Sequence, residues 1–265
     1  MKIAYIGIDL FYPALEALEN LGCEILEIFT CDTDNITEFN AEITDFAAKR
    51  NIPFKTSRIT RDDITRLLQN DCKMAICGGY YFKIPADTKL PIVNIHPSLL
   101  PVGRGSWPMA LSILRGDKKS GVTIHKIAEG FDTGDILLQE EFEIAADETH
   151  KTFMEKANRL LPEMLKKLIE DFYSLWQNAT PQGDGEYWPM PDESQYTVAP
   201  DMTVEEADLI LRAFYGYECV YANNGKKTVV IGGRAVKCDK MSDKEFPLVD
   251  GYIKIQKNSK KIKTR

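Results

Sequence analysis

The sequence predicts an α/β fold: a Rossmann-like, mostly parallel sheet, followed by a small C-terminal α+β or open-barrel domain. Through residues 1–177, short apolar runs rich in β-branched residues alternate with segments whose apolar residues recur at helical spacing. This alternation is typical of a parallel sheet whose strands are joined by crossover helices. The chain of 265 residues also exceeds the usual size of one domain, so a large domain and a small one are expected.

The first strands and helices are each indicated by a local pattern. Residues 1–7 form an apolar run that ends in Gly7, which predicts a buried strand. In residues 11–21 leucines recur at helical spacing, and Gly22 is suited to end that helix. Residues 23–30 alternate sufficiently between apolar and polar side chains to form a second strand.

The same alternation continues through the middle of the chain. A helix at 43–50 leads through the turn at 51–53, which contains Pro53, to a short third strand. Thr60 is placed to start a helix at 62–69. By the same apolar patterns, further strands are predicted at 73–77, in a run that ends at His96, and at 122–127, and further helices at 108–115 and 151–176.

The C-terminal part is separated by a segment rich in proline and glycine, residues 178–196, which predicts a linker. Thr203 precedes two glutamates and predicts a capped helix at 203–215. The Asn-Asn-Gly sequence at 223–225 predicts a hairpin turn, and a last strand is expected at 252–255. The resulting division is a large domain at 1–177, a linker at 178–196, a small domain at 197–256 and a basic tail at 257–265.

The overall charge and the cysteine usage exclude several classes of protein. The net charge of −7 weighs against an extended nucleic-acid surface, because affinity for phosphate backbones comes mainly from Lys and Arg. The exception is 254–265, with six basic residues and no acid, which is expected to be a solvated terminus. No apolar run approaches the ~20 residues of a membrane span. The six cysteines form no CxxC pair, as is usual for free thiols in a reducing cytosol, so a cytoplasmic protein without membrane association is expected.

A candidate site lies in residues 92–138. Asn94 and His96 stand at the end of an apolar run, and side chains two residues apart on a strand point to the same face. Pro97 disfavours helical geometry at His96, which keeps the strand extended to its last residue. Asp132 stands between two glycines further along the chain. An amide, an imidazole and a carboxylate that converge can stabilise an oxyanion and move a proton.

Four motifs in this stretch carry a resemblance to a known family. They are Asn-Ile-His-Pro-Ser-Leu-Leu-Pro at 94–101, Arg104-Gly105, Gly-Val-Thr at 121–123 and Asp-Thr-Gly-Asp-Ile-Leu at 132–137. With these motifs, residues 1–165 resemble the formyltransferase family, and residues 197–256 resemble more weakly the small C-terminal domain of its tRNA and sugar enzymes. Members of the family use N10-formyltetrahydrofolate to place a formyl group on an amine. The resemblance therefore implies the formyltransferase fold, this activity and this folate as co-substrate.

The resemblance further implies that Asn94, His96 and Asp132 are catalytic. A neutral amine would attack the formyl carbon through a tetrahedral intermediate, whose negative oxygen would accept hydrogen bonds from His96 and Asn94. One such donor is typically worth ~3 kcal/mol. Asp132 would hold His96 in its donating state and accept the proton released by the amine. His125 and His150 are expected to be structural, and three histidines without a second ligand nearby predict no metal site.

Two binding regions also follow from the resemblance. The segment at 76–85 would form one wall of the folate pocket, where two glycines let the backbone approach a flat pteridine, and the loop at 128–132 would form another. The folate-binding residues implied are Gly78, Gly79, Tyr80, Tyr81, Phe82, Ile84, Glu129, Gly130 and Phe131. The acceptor-binding residues implied are Phe11, Arg104 and Gly105. Arg104 is included because a guanidinium can bind an anionic group by paired hydrogen bonds. A homodimer is a further expectation.

The expected amine follows from features that the chain lacks. Glycinamide ribonucleotide enzymes carry a glycine- and serine-rich phosphate loop after the first strand, where this chain has Gly-Ile-Asp-Leu-Phe at 7–11. The tRNA enzymes have a basic loop after the second strand, whereas residues 31–45 contain five acids and no Lys or Arg. Acidic side chains there would repel a phosphate backbone. The expected partner is therefore a small-molecule amine, the amino group of a nucleotide-linked sugar, with methionyl-tRNA as the alternative.

Two other classes of protein remain open. Asp-Thr-Gly at 132–134 is also the active-site signature of aspartic proteases, which need two such carboxylates. The chain has one copy, within an α/β pattern rather than all-β lobes, and this disfavours a protease. A non-catalytic protein that binds folate or a sugar nucleotide would bind the formyl donor without turnover.

Overall fold

The computed structural model describes residues 1–238 and 246–255, which group into two compact units. The first unit contains residues 1–105, 120–142 and 155–187, and the second contains 106–119, 143–154 and the described residues from 188 onward. This grouping differs from the predicted division, because two internal segments join the second unit. Ala110 and Ile113 give the physical reason, since both are buried in the apolar core of that unit. The predicted tail at 257–265 lies outside the described residues.

The first unit is built on a seven-stranded sheet with the strand order β3-β2-β1-β4-β5-β6-β7. Its strands are β1 (Lys2–Gly7), β2 (Glu24–Phe29), β3 (Phe54–Lys55), β4 (Met74–Gly78), β5 (Ile92–His96), β6 (Lys119–Lys126) and β7 (Ile136–Glu143). The strands from β1 to β5 pair in parallel, whereas β6 runs antiparallel to β5. The mostly parallel α/β sheet is thus confirmed, and Gly7, Gly78 and His96 end three parallel strands at one edge.

The α-helices of the described residues begin and end largely where their local signals predict. They are α1 (Tyr12–Asn20), α2 (Ala41–Arg50), α3 (Arg61–Gln69), α4 (Pro108–Arg115), α5 (His150–Glu170), α6 (Phe172–Gln177) and α7 (Val204–Ala213). Thr60 caps α3, because its side chain accepts a hydrogen bond from the Asp63 amide and Asp63 bonds back to it. The start of α2 has a distant cap: the Asp9 carboxylate accepts from the amides of Glu42 and Ile43, at 3.0 Å each.

Two elements of the first unit differ from the predictions. The strand β7 was not predicted, although exposed and less exposed residues alternate along it as expected of a half-buried strand. The long helix predicted at 151–176 is interrupted: α5 ends at Glu170, and Asp171 leaves helical geometry (φ −114°, ψ 19°) before α6 begins. Leu175 donates to the Asp171 carbonyl at 3.0 Å, so this carbonyl remains satisfied across the break.

The second unit combines α4 and α7 with two small sheets, in agreement with the predicted α+β domain. Its strands are β8 (Thr197–Val198), β9 (Glu218–Asn223), β10 (Lys226–Ile231), β11 (Gly233–Lys237) and β12 (Gly251–Ile255), arranged as β10-β9-β8 and β11-β12. Asn223 pairs with Lys226, so the hairpin turn consists of Asn224 and Gly225, both at positive φ. Positive φ at both positions is the geometry that asparagine and glycine favour in such turns. The strand β11 was not predicted.

The structure also bears on membrane association and on the thiols. Among the helices of residues 1–238 and 246–255, none combines the length and the apolar character that spanning a membrane requires. All six cysteines are free thiols, and five of them are buried.

Candidate active site

The strand β5 presents Asn94 and His96 on one face, as the sequence predicts. Neighbouring strands place Cys77 on one side of Asn94 and His125 on the other. His96 is 4% exposed and Asn94 is partly buried. Burial raises the pKa of the Cys77 thiol, which favours its uncharged form. The polar groups on this face are therefore the Asn94 amide and the two imidazoles.

Asp132 reaches the same place from the loop that joins β6 to β7. Because β6 is antiparallel to β5, this loop starts at the opposite edge from His96, and Asp132 returns across the sheet face. Asp135 holds the ends of the loop together, since its carbonyl accepts from Lys126 N at 2.9 Å and its carboxylate from Nζ at 3.0 Å. An added Cβ on Gly134 would lie 1.9 Å from the Lys126 carbonyl oxygen, so this turn requires glycine.

The three predicted catalytic side chains lie together in the structure. Asn94 Nδ2 is 3.4 Å from Asp132 Oδ1, and His96 Nδ1 is 3.7 Å from the same oxygen. The second carboxylate oxygen, Oδ2, accepts a hydrogen bond from Gly105 N at 2.9 Å. Asp132 has φ +55°, in the left-handed region that few residues other than glycine adopt readily. The carboxylate is thus held at an unusual backbone position by several contacts.

His125, which the sequence analysis treated as structural, also belongs to this group. Its Nε2 lies 3.2 Å from Asn94 Nδ2 and 3.6 Å from Asp132 Oδ1. Its Nδ1 lies 2.8 Å from the carbonyl oxygen of Lys126, so Nδ1 carries the proton in the neutral ring. The Nε2 atom of this tautomer is then an acceptor for the Asn94 amide. The cross-strand pair formed by Asn94 and His125 was not foreseeable without knowing that β6 is antiparallel to β5.

The second nitrogen of His96 is engaged as well. His96 Nε2 lies 2.8 Å from the Gly103 carbonyl oxygen, which can only accept, so Nε2 carries a proton. The loop that supplies this carbonyl is held by Thr123, whose hydroxyl donates to Ser98 O at 2.6 Å and accepts from Leu100 N at 3.2 Å. This geometry leaves Nδ1 of His96 facing Asp132.

Burial and charge determine the protonation of the pair. Burial lowers the pKa of the His96 imidazole, against the opposing effect of the Asp132 carboxylate. Burial alone would raise the pKa of the Asp132 carboxyl, but the imidazoles of His96 and His125 and the Gly105 amide outweigh it and lower this pKa to about 2. At neutral pH the site therefore combines an anionic carboxylate with a neutral His96.

The residues expected to bind folate lie in two loops of the first unit. Gly78 ends β4 and Gly79 follows it; both pack against Phe11, and Gly79 has φ +67°. The Tyr80 hydroxyl donates to Ser57 O at 3.1 Å and accepts from Ile59 N at 3.0 Å, which fixes the first loop. Aromatic rings in both loops are exposed, while Ile84 is buried and Glu129 and Gly130 are exposed. The exposed fractions are 50% for Tyr81, 39% for Phe82 and 62% for Phe131.

The three residues expected to contact the acceptor are placed differently from one another. Phe11 is 1% exposed, so its ring supports the Gly78–Gly79 turn from below and presents no open surface. Arg104 donates through Nε to Gln182 at 3.0 Å and through Nη2 to the Gly183 carbonyl at 3.0 Å. The Gly105 amide donates to Asp132. In this conformation all three therefore make contacts within the first unit.

Gln182 is a further residue of the site that the sequence analysis did not single out. Its amide nitrogen donates to the Asp132 carbonyl at 2.9 Å and to the Gly134 carbonyl at 2.6 Å. Its position within the predicted linker gave no signal of these contacts.

Among the residues that the structure describes, no cluster of three or more His, Cys, Asp or Glu side chains is arranged to hold a metal ion.

The fold and the site define an α/β protein with a Rossmann-like sheet and a convergent amide, imidazole and carboxylate. The sequence profile of the formyl transferase family matches residues 35–169, about half of the chain. A curated relative from Coprothermobacter proteolyticus, a methionyl-tRNA formyltransferase, is 34% identical over 205 residues, which are 73% of this chain and 67% of the relative. The chain belongs to the formyl transferase family.

Other relatives share a smaller part of their length with the chain. The methionyl-tRNA formyltransferase of Lactobacillus gasseri is 30% identical over 175 residues, 63% of this chain and 56% of that protein. The chain thus spans little more than half the length of this relative.

Solved structures share the fold. A 4-N formyltransferase from Francisella tularensis has a TM-score of 0.67 and 24% identity, covering 91% of this chain and 98% of that one. HypX from Aquifex aeolicus in complex with tetrahydrofolic acid has a TM-score of 0.71 and 16% identity, covering 99% of this chain and 46% of that one.

Proposed function

We propose that the chain is an N-formyltransferase that moves a formyl group from N10-formyltetrahydrofolate to a primary amine. The observation that carries this proposal is the convergence of Asn94, His96 and Asp132 on one face of the sheet. These groups can stabilise a developing negative oxygen and accept a proton, which are the two requirements of acyl transfer to an amine. Membership of the formyl transferase family supports the same reaction.

Asn94 and His96 are the proposed donors to the oxygen that becomes negative as the amine attacks. One N–H of Asn94 points to His125 at 3.2 Å, while its contact with Asp132 is longer, at 3.4 Å. The weaker contact is the one that the substrate oxygen would replace. His96 donates through Nε2 to the Gly103 carbonyl at 2.8 Å. When substrate is bound, a hydrogen bond from Nε2 to the substrate oxygen replaces that bond.

Asp132 is the proposed proton acceptor. Its pKa of about 2 keeps it anionic at neutral pH, so it can attract the proton that the attacking amine releases. A carboxylate of this pKa holds a proton only briefly at pH 7, and an efficient base has a pKa closer to the working pH. Asp132 therefore passes the proton on to water. His96 Nδ1, 3.7 Å away, carries no proton in this tautomer and can accept the proton from the carboxyl on that path.

The two loops with exposed aromatic rings are the proposed folate site. Tyr81, Phe82 and Phe131 present flat apolar surfaces of the kind on which a pteridine can stack. The positive φ of Gly79 allows the backbone to come close to such a ring. When bound, the folate supplies the formyl group, and the protein residues orient it toward Asn94.

The acceptor that we propose is the amino group of a nucleotide-linked sugar. The support is the surface after β2, where Asp32, Asp34, Glu42 and Asp45 are exposed and residues 31–45 contain no Lys or Arg. A polyanionic tRNA would be repelled there, whereas a small nucleotide can avoid the surface. Methionyl-tRNA is the second candidate, because the curated relatives described above are methionyl-tRNA formyltransferases. The six free thiols fit a reducing compartment such as the cytoplasm.

The test offers N10-formyltetrahydrofolate and one acceptor at a time to the full chain. The acceptors are thymidine-, uridine- and guanosine-linked amino sugars and, separately, methionyl-charged initiator tRNA at about 0.15 M salt. Formylated product is measured by mass spectrometry, with Asp132→Asn as the inactive control. We expect one class of sugar nucleotide to be formylated and the tRNA to be left unmodified. Formylation of the tRNA alone would replace the sugar by the second candidate, and donor binding without any product would favour a non-catalytic protein.

A further inference from the structure

A short segment of the first unit, residues 180–185, crosses the two loops that carry the candidate site; it is called the strap below. Thr180 anchors it to the start of β7, because Thr180 and Ile136 exchange two backbone hydrogen bonds of 2.8 Å each. Two residues later, the Gln182 amide donates to the carbonyls of Asp132 and Gly134, at 2.9 and 2.6 Å. The strap thus holds the Asp132 loop at the carbonyl of Asp132 and at two positions that follow it, Gly134 and Ile136.

The same strap holds the loop that follows β5. The Gln182 oxygen accepts from Arg104 Nε at 3.0 Å, and the Gly183 carbonyl accepts from Arg104 Nη2 at 3.0 Å. Gly185 lies so close to this loop that an added Cβ would meet Pro101 at 2.6 Å and the Arg104 guanidinium carbon at 2.9 Å. Arg104 is therefore joined to Asp132 through one glutamine side chain.

Gln182 contacts the backbone of the Asp132 loop, which other contacts must hold in an unfavourable conformation. Asp132 adopts φ +55°, a conformation that costs free energy for any residue with a side chain. Its carboxylate must also lie within reach of Gly105 N in the other loop, at 2.9 Å. Gln182 donates to the peptide carbonyls on both sides of Thr133 and so restrains the backbone that sets this carboxylate.

We propose that Gln182 is a positioning residue that, together with Arg104, sets the Asp132 carboxylate relative to His96. The proposal rests on the proposed function only where it predicts an effect on turnover. The restraint of Asp132 by Gln182 is a property of the protein without substrate. Arg104 acts through Gln182 and not as a ligand of the acceptor. The side chain that best tests this is methionine, which keeps the length and packing of Gln182 but removes its donors and its acceptor.

The first measurement is amide hydrogen exchange of Gly105 in the full chain. The Gly105 N–H donates to the Asp132 carboxylate, so its protection reports directly on the position of that group. In Gln182→Met we expect Gly105 to exchange about tenfold faster, since two hydrogen bonds that hold Asp132 are lost. The matched control is Gln177→Met, whose side chain is exposed at the end of α6, and its Gly105 exchange should equal that of the wild type.

The second measurement is the pKa of His96 by NMR, which is practical because the chain has three histidines. The Asp132 carboxylate raises the pKa of His96 against the effect of burial. When Asp132 moves away, this pKa should fall further below its ordinary value in Gln182→Met and stay unchanged in Gln177→Met. A role confined to general stability would leave the pKa of His96 unchanged, so this readout separates positioning from folding.

A double-mutant cycle tests the part assigned to Arg104. Gln182→Met and Arg104→Met together should speed exchange of Gly105 no more than Gln182→Met alone, because both substitutions break one connection. On any acceptor that proves active, Gln182→Met should lower kcat about tenfold with KM within about twofold of the wild type. Wild-type exchange and an unchanged His96 pKa in Gln182→Met would overturn the positioning role. Absence of any active acceptor would count against the proposed function alone.

Discussion

At the scale of single residues, the site is organised around one carboxylate that several polar groups surround. Asp132 accepts from the amide of Gly105 and faces the imidazoles of His96 and His125 and the Asn94 amide. The two imidazoles and the Gly105 amide lower the pKa of Asp132 to about 2, although burial acts in the other direction. A negative charge that is so well satisfied can orient its neighbours without being neutralised at physiological pH.

Removing either the His96 imidazole or the Asp132 carboxylate should therefore abolish most of the activity. We expect His96→Ala and Asp132→Asn each to lower turnover at least about a hundredfold, because each takes away a group that acts on the developing charge or on the proton. Binding of tetrahydrofolate, measured by calorimetry, should survive in both variants. Turnover near the wild-type value in both variants would contradict the assigned roles.

His125 gives a second prediction at this scale. Its Nε2 orients the Asn94 amide at 3.2 Å, so His125→Phe, which keeps the ring but not the acceptor, should lower turnover about tenfold. His150→Phe is the matched control, since the same substitution there touches a different unit and should leave turnover within about threefold. Equal activity of the two variants would show that Asn94 does not depend on His125.

The convergence of the three proposed catalytic side chains could be predicted from sequence because they stand in contiguous motifs, whereas the residues that contact them could not. Asn94 and His96 are two residues apart on one strand, and Asp132 lies in a short glycine-flanked motif. His125 contacts Asn94 through the antiparallel pairing of β5 and β6. Gln182 contacts Asp132 across fifty positions of sequence. Supports of this kind depend on tertiary pairing, which no local pattern encodes.

At the scale of elements, the start of α5 depends on a histidine without a charge. His150 is 3% exposed, and its ring packs edge-on to Tyr217, with centroids 4.7 Å apart, and against Trp107 at 6.0 Å. Within residues 1–238 and 246–255, no group forms a hydrogen bond with the His150 Nε2 atom. Burial lowers the pKa of His150 to about 4 from an ordinary value of 6.5. Protonation of this ring would place a charge among aromatic side chains.

The pH dependence of stability should reveal this residue. Because the folded pKa lies below the unfolded one, the stability that the neutral ring provides is complete above pH 6.5 and is lost as the pH falls from 6.5 toward 4. The loss at the acid end is about 3 kcal/mol. In His150→Phe the free energy of unfolding, measured with urea, should fall less across that interval and match the wild-type slope between pH 7 and 8. An equally steep acid loss in the variant would assign it to other groups.

Elements were predictable where the signal is local. The helix α4 occupies the predicted residues, and α3 starts at its predicted cap. The cap of α2 was not predictable, because Asp9 supplies it from more than thirty residues away. The direction of β6 was not predictable either, because the pattern of apolar residues in a strand is the same whether the strand pairs in parallel or antiparallel.

At the scale of the whole molecule, the excess of acid predicts how the reaction responds to salt. The net charge is −7, and the exposed surface after β2 is acidic. A small nucleotide carries few phosphates, so kcat/KM for it should depend only weakly on ionic strength. A tRNA would need many phosphate contacts, and its kcat/KM would fall steeply with salt. The measurement is kcat/KM from about 0.05 to 0.2 M salt with the active acceptor.

Removal of the basic terminus gives the companion prediction. Deleting residues 257–265 should leave formylation of a small acceptor within about threefold of the wild type, because no phosphate backbone has to be neutralised. A large loss, together with a steep salt dependence, would indicate a tRNA acceptor. The control is the full chain assayed at the same salt concentrations.

The closed ends of the loop between β6 and β7 have a consequence for how this site can evolve. Since Lys126 and Asp135 fasten the loop at its base, its tip can change length without disturbing the register of the sheet. Doubling the length of a flexible loop costs only about 0.6 kcal/mol of closure entropy. An insertion beside the exposed Glu129 would therefore change the surface near the site at low cost in stability while Asp132 keeps its place.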